Sequence, residues 1–418
     1  MRRNRDFMLL WSGQVVSAVG SEITYVAYPL LVLALTHSPA KAGLTGFCVT
    51  VPWLLFTLPA GALVDRWDRK RVMIAADAGR ALALASVAVA LWLDRLTFVQ
   101  ILIAATIEGT LFVFFFVGER AALRNVVPAE QMTTAMAQNE ARFFGASLVG
   151  SPIGGALFGL GRAVPFLVDA ISYLASTVGL LLIRKQFQEE RTAARRPLHL
   201  EIAEGFSWLW RHRFLRACSL MRSASLPVTF ATILSMIVIA EKHGASPGQV
   251  GVMLGIAAGG GLLGSFVTPA IVRRLSIRAI VVASPWLQAL VLPWLAFLTN
   301  PFALGAVLAV EWFFAPCWDS AVVVYRLSVV PDALQARVQS VAGLLAMAGA
   351  PLGALLGGFL LENIGGQATI LALSGWTLAL AIVSTASRSL REGPTGDSHS
   401  DSHLDAAGKA DGGPKPAV

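Results

Sequence analysis

Charge is scarce in this sequence. Only 14% of its 418 residues are Asp, Glu, Lys or Arg, whereas 56% are hydrophobic, and mean hydropathy is +0.66. No soluble globular domain requires that balance. Cysteine is scarcer still. Cys48, Cys218 and Cys317 stand in separate apolar runs, which excludes a disulfide framework or a metal-ligand spacing and leaves them as small packing residues. Also missing are a phosphate-binding loop ending in Gly-Lys-Ser/Thr, an H-E-x-x-H pair and a G-x-S-x-G elbow. The chain therefore carries no enzyme signature and no catalytic residue, has no seat for ATP, and implies no cofactor or metal. His399 and His403, near the C-terminus, sit in a polar stretch without fixed geometry and are not read as ligands.

Long apolar runs stand in place of charge. A spanning helix needs about 20 mostly apolar residues. Such runs lie near 8–35, 42–64, 72–93, 98–118, 138–160 and 164–183, then 214–240, 249–272, 278–298, 302–324, 338–361 and 367–386. The expectation is an all-α membrane protein with 12 transmembrane helices in two six-helix bundles. The opening "MRRNRDF" is basic and leads into an apolar run, as a signal peptide would. That run is span-length and lacks a small-residue cleavage site, so it reads as a retained first helix, with Arg2 and Arg3 as topology anchors. Lys and Arg crowd alternate connections, and the opposite ones hold only Lys41, Arg95, Arg162 and Lys242. By the positive-inside rule this places both termini in the cytoplasm, in the cell membrane. Topology accounts for the net charge of +8, and no nucleic-acid partner is implied.

The halves repeat one another. Shifting the chain by 203 residues lays Gly61 on Gly264, Lys70-Arg71 on Arg273-Arg274, Val126-Val127-Pro128 on Val329-Val330-Pro331, and Glu108 on Glu311. With an offset of 199, "GSPIGGALFG" from Gly150 pairs with "GAPLGALLGG" from Gly349. Six spans per half make the repeats parallel, with a path expected between them. The expected divisions are an N-terminal half over 1–184, a linker over 185–213, a C-terminal half over 214–388 and a disordered cytoplasmic tail over 389–418. In the linker, Leu198, Ile202, Phe206 and Leu209 recur at helical spacing, predicting an amphipathic helix at the membrane interface.

Charges inside the spans are the candidate functional residues. A charge at a helix centre costs roughly 2.5 kcal/mol or more on insertion scales, so such residues usually line a path or pair with one another. They are Glu22, Asp77, Arg80, Glu108, Asp169, Arg222, Glu311 and Asp319. Asp77 and Arg80, three apart on one helical face, read as a local ion pair or part of a gate network. Glu22 and Arg222, each in the first span of its half, face one another across the path or pair structurally. Glu108 and Glu311 are central and symmetric. Removal from water disfavours the charged form of a carboxyl, which suits exchange of a proton for a cationic or amphiphilic substrate; the alternative is a protonated glutamate bonding a neighbouring helix. Phe112, Phe114, Phe115 and Phe116 come after one glutamate, and Trp312, Phe313, Phe314 and Trp318 after the other, so an aromatic cavity with one or two acids is expected to take bulky amphiphiles.

The densest local motif is "GALVDRWDRKR", Gly61 to Arg71, at the end of span two. Gly61 permits close helix approach, while Asp65, Arg66, Arg69 and Arg71 either fix topology or pair across a gate. This stretch resembles the loop motif of the major facilitator superfamily, G-x-L-x-D-R-x-x-R-R/K. Further, "NRDFMLLWSGQVVSAVG", "RNVVPAEQMTTAMAQN" and "VVPDALQARVQSV" resemble the drug and siderophore exporter branch that includes macrolide efflux pumps and the enterobactin exporter. The resemblance spans residue 4 to about 387. It implies a two-bundle alternating-access fold, a small-molecule substrate, protons as the coupling ion, the lipid bilayer as environment and a monomeric chain. It also implies that Gly61, Asp65, Arg66 and Arg69 stabilise the outward-facing state. "GASLVGSPIGGAL", from Gly145, resembles the branch's antiporter motif but has Ser151 where a glycine usually precedes the proline; physically, Gly145, Gly150, Pro152, Gly154 and Gly155 make a bent helix with a smooth sealing face. Many proton-coupled relatives carry an arginine in span four; the corresponding "ILIAATIEG" has no basic residue. The function expected is export of hydrophobic drug-like compounds, natural products or siderophores. Import or uniport of a small metabolite, lipid movement and a scaffolding role remain the alternatives.

Overall fold

The computed structural model describes residues 5–64, 66–126, 132–183, 187 and 198–391. Asp65, Arg2, Arg3, His399, His403 and the tail after 391 lie outside the described residues. Those described form helices α1 Arg5–Thr36, α2 Pro39–Val64, α3 Arg69–Trp92, α4 Phe98–Val126, α5 Met132–Leu160, α6 Val164–Leu182, α7 Leu198–Arg211, α8 Arg213–Lys242, α9 Pro247–Arg274, α10 Ile277–Val291, α11 Pro301–Val329, α12 Gln335–Met347, α13 Gly349–Ala386 and α14 Arg388–Arg391. No strand occurs among the described residues. With no water in a bilayer core to bond free backbone groups, apolar segments of this length close their hydrogen bonds as helices.

Ten helices among the described residues are long and apolar enough to cross a membrane. One of the ten runs from Gln335 to Ala386 and contains Gly365, whose φ of 77° and ψ of 171° are not helical. The chain reverses there. Gly349 packs on Ser223 and Gly366 on Ile239, yet the Trp376 indole N–H again reaches the Ala224 carbonyl at 3.0 Å. Dividing this helix at Gly365, and counting α5 with its apolar stretch Phe144–Leu160, fits twelve crossings. The turns that lead into α9 and α11 are short and capped. Ser246 and Gln249 form a reciprocal capping box at α9, and the Asn300 side chain accepts from Phe302 and Ala303 N–H at α11.

Glycine sets how closely the helices approach. A Cβ on Gly150 or Gly154 would stand 2.8 Å from the carbonyl oxygen of Val19 or Ile23 on α1. In the second half, Gly349 and Gly353 meet Ser223 and Pro227 of α8 in the same way. Two further contacts join the halves, and they are symmetric mates. Gly358 of α13 lies against Pro39 and Gly43 at the start of α2, while Gly155 of α5 lies against Pro247 and Gly251 at the start of α9. A Cβ on Gly358 would be 2.5 Å from the Pro39 carbonyl oxygen, and one on Gly155 2.2 Å from that of Pro247. Both contacts are at the end of the bundle opposite the basic loops. There Glu362 of α13 also accepts hydrogen bonds from Ser38 Oγ and, at 2.9 Å, from the Ala40 N–H, so the second half supplies a cap to α2 of the first.

At the basic end, α7 packs on α12. Leu209, Leu215, Val330, Val338, Val341 and Ala342 share one buried cluster, and Arg337 pairs with Glu201 (3.4 Å) and Glu204 (2.5 Å). The apolar face read from Leu198, Ile202, Phe206 and Leu209 is split: Leu209 is buried, whereas Phe206 is exposed and stacks on Trp210 with 5.1 Å between ring centroids.

Candidate functional site

A cavity of about 340 Å³ lies inside the bundle, walled by α1, α2, α4, α5 and α8, with Arg80 of α3 and Ala354 of α13. One face of α4 supplies much of it. Glu108, Phe112, Phe115, Phe116 and Glu119 fall at successive helical turns and all line the space. Trp53 backs these rings, 4.8 Å from Phe116 and 5.8 Å from Phe112 between centroids.

Arg80 is the hub of the charge cluster. It is 3% exposed, lies 3.6 Å from Asp77 Oδ1 one turn earlier and 3.9 Å from Glu108 Oε1 on α4, and donates to Ser21 Oγ at 3.2 Å and to the Tyr173 hydroxyl. Its guanidinium also lies over the Tyr173 ring at 3.9 Å and the Phe112 ring at 5.3 Å. Tyr173 in turn donates to Glu108 Oε1 at 3.2 Å. One turn before Tyr173 on α6, the fully buried Asp169 accepts from Thr24 Oγ1 (2.7 Å) and Ser172 Oγ (2.9 Å). Three carboxyls thus gather near one guanidinium in an apolar interior, more proton sites than fixed positive charge. A second pair lies nearer the basic end. Arg142 of α5 holds Glu119 through two hydrogen bonds of 2.7 and 3.2 Å and donates to Gln14 Oε1 of α1 at 3.1 Å. Glu22 stands apart, accepting from Ser147 Oγ at 3.0 Å and making no ion pair among the described residues.

The sequence candidates separate accordingly. Glu22, Arg80 and Glu108 line the cavity, and Asp77 and Asp169 lie behind it. Arg80 and Asp77 belong to the Glu108 cluster as well as to each other, and not to the gate loop. Glu311, the repeat mate of Glu108, does not line this cavity: its Oε1 accepts from Gln288 at 2.6 Å. Glu22 and Arg222 do not face one another; Arg222 pairs with Asp319 at 2.9 Å. Of the aromatic residues flanking the two glutamates, Phe112, Phe115 and Phe116 reach the cavity and the four around Glu311 do not. Sequence reasoning misses Glu119, Arg142, Ser21 and Tyr173. Glu119 is findable, since three helical turns separate it from Glu108 and return it to the same face. Tyr173 is findable as well, since it stands four residues after Asp169 and shares with it, Ser172 and Ser176 the one polar face of α6.

The family described as transmembrane secretion effector, MFS_3, matches residues 2–410. The chain belongs to the major facilitator superfamily. It is 28% identical over 397 residues to the multidrug efflux pump Tap of Mycolicibacterium fortuitum, covering 92% of this chain and 96% of that one. Macrolide efflux protein A of Streptococcus pyogenes is 23% identical over 217 residues, covering 51% of this chain and 54% of that one. Among solved structures, the nucleoside transporter NupG superposes with a TM-score of 0.70 at 15% identity, covering 92% of this chain and 98% of that one, a likeness of fold.

In this facilitator fold the loop motif ties the first half to itself. Asp68 caps α3 by accepting from the Arg71 N–H at 3.1 Å, and Arg71 Nε lies 3.6 Å from it, both exposed. Arg69 is buried and donates to the carbonyls of Ala121 (3.3 Å) and Phe187 (3.2 Å). Lys70 reaches the carbonyl of Ile183 at 2.7 Å, just past the end of α6. Arg66 sits in the turn with its N–H on the Leu63 carbonyl at 2.9 Å, and a Cβ on Gly61 would meet nothing within 4 Å. Of the span-five set, Gly150 and Gly154 face α1, Gly155 faces α9, Pro152 packs on Gly255, and a Cβ on Gly145 would meet nothing within 4 Å.

Proposed function

We propose that this chain is a proton-coupled exporter of hydrophobic drug-like compounds in the cell membrane, acting as a monomer with both termini in the cytoplasm. The two rocking bodies are residues 1–184 and 214–388, carrying six crossings each, with the linker moving alongside the second. The observation that carries the reading is one cavity that combines an aromatic wall with the carboxyls of Glu22, Glu108 and Glu119. The similarity to Tap over nearly its whole length supports the choice of drug-like cargo. With the basic loops in the cytoplasm, the glycine contacts close the outer end and Gly61 faces open space, an inward-facing form.

In this scheme the amphiphilic cargo enters from the inner side and lays its apolar part on the aromatic face of α4. Proton uptake at the Glu108 cluster weakens its hold on Arg80, whose contacts span α1, α3, α4 and α6; release of that proton inward resets the site. Positional change at one arginine is thereby felt by four helices. The decisive experiment measures accumulation of labelled amphiphiles in efflux-deficient cells expressing the parent, Glu108→Gln or Glu311→Gln, with and without a protonophore. Exclusion by the parent that needs the gradient, is lost in Glu108→Gln and survives in Glu311→Gln is the expected result. Equal export by parent and Glu108→Gln would sink the coupling assignment.

A further inference from the structure

The cavity has two chemically different walls, and each belongs to one half of the chain. Every polar or charged lining residue, including Glu22, Arg80, Glu108, Glu119 and Arg142, precedes the linker. The second half contributes Phe230, Ile233, Leu234, Ile237 and Ala354, all apolar. The first four sit on α8 at spacings of three, one and three residues, which is one continuous face of a helix. The polar groups are thus confined to the first half, which also carries the aromatic face of α4, whereas the second half offers an apolar face alone.

We propose that the α8 face of Phe230, Ile233, Leu234 and Ile237 sets specificity, receiving the apolar body of an amphiphilic cation whose charged head rests at Glu22. This rests on the reading of the cavity as an amphiphile site. Glu22 is suited to the head because it has no cation of its own among the described residues, whereas Glu108 faces Arg80 and Glu119 is held by Arg142. Binding between the walls puts one end of the ligand on each half, so occupancy is sensed by both. A smooth wall without hydrogen-bonding groups imposes no direction on the tail. It grades ligands by apolar area buried, the behaviour of a site that accepts many structures and ranks them by size.

The test uses a homologous series in which the head is constant. Full-length protein in lipid nanodiscs is titrated calorimetrically with n-alkyltrimethylammonium ions from octyl to tetradecyl, comparing the parent with Leu234→Ala, Leu234→Met, Glu22→Gln and, as control, the exposed Leu220→Ala. Affinity in the parent is expected to rise with chain length. Leu234→Ala should keep octyl binding within about twofold and lose roughly tenfold for tetradecyl, flattening the slope. Leu234→Met, of similar volume, and Leu220→Ala should keep the slope. Glu22→Gln should weaken all chain lengths alike. If the parent binds with a chain-length slope that Leu234→Ala preserves, or Leu234→Ala weakens every chain equally, the assignment to α8 is wrong. If the parent binds none of the series, the reading of the cavity itself falls, and the assignment with it.

Discussion

The glycine contacts that join the halves give a perturbation whose size is set by geometry. A Cβ on Gly358 would be 2.5 Å from the Pro39 carbonyl oxygen and one on Gly155 2.2 Å from that of Pro247. Both neighbours are backbone and cannot swing aside, so Gly358→Ala or Gly155→Ala requires the helices to part by about 1 Å. Overpacking of this kind costs about 1–3 kcal/mol. Since about 1.4 kcal/mol is a factor of ten, the closed arrangement of that end should lose population by a factor of about 5 to 150 relative to one in which the halves are separated there. Spin labels at Arg95→Cys and Asn363→Cys, exposed positions in opposite halves, report the separation by double electron–electron resonance once Cys48, Cys218 and Cys317 are replaced. Either alanine should move weight from the short to the long distance, and the pair together further. Gly159→Ala, whose Cβ would meet nothing within 4 Å, should leave the distribution unchanged. A parent-like distribution in both single variants and the pair would show that the contacts do not hold this end shut.

Arg80→Leu strands Asp77 and Glu108 in an apolar interior and is expected to destabilise the protein by about 3–5 kcal/mol, read as an earlier unfolding transition in detergent; adding Asp77→Asn and Glu108→Gln should recover most of it. Arg142→Met should likewise cost stability that Glu119→Gln in the same chain restores, and a double-mutant cycle should return a coupling of about 0.5–3 kcal/mol, whereas strict additivity would mean the pair contributes nothing. Arg337→Ala removes partly exposed ion pairs with Glu201 and Glu204, each worth under about 1 kcal/mol, so melting and transport should stay within about twofold of the parent.

Much of the scaffold is legible because hydrophobicity announces a span regardless of how the helix is turned. The repeat is legible too, through the 203-residue offset, which lays Gly155 on Gly358, the two glycines that make mirrored contacts with the opposite half. The site is only half legible. Glu108 and Glu311 look equivalent along the chain, but α4 turns its acid and three phenylalanines inward while Glu311 bonds Gln288 away from the cavity. Rotation about the helix axis decides this, and a helix apolar on all sides carries little periodic signal for it. Span four has no arginine of its own to pair with Glu108. The partner comes from Arg80 on the neighbouring helix, at a distance that only packing reveals.

Glu362 has a consequence beyond holding two helices together. Its carboxylate accepts the Ala40 N–H, one of the donors that the start of α2 cannot satisfy within the helix, and it reaches there from the other half. Whenever that end of the bundle opens, the amide is handed from protein to water. Hydrogen–deuterium exchange at Ala40 therefore counts the openings of the unlabelled protein, one proton at a time.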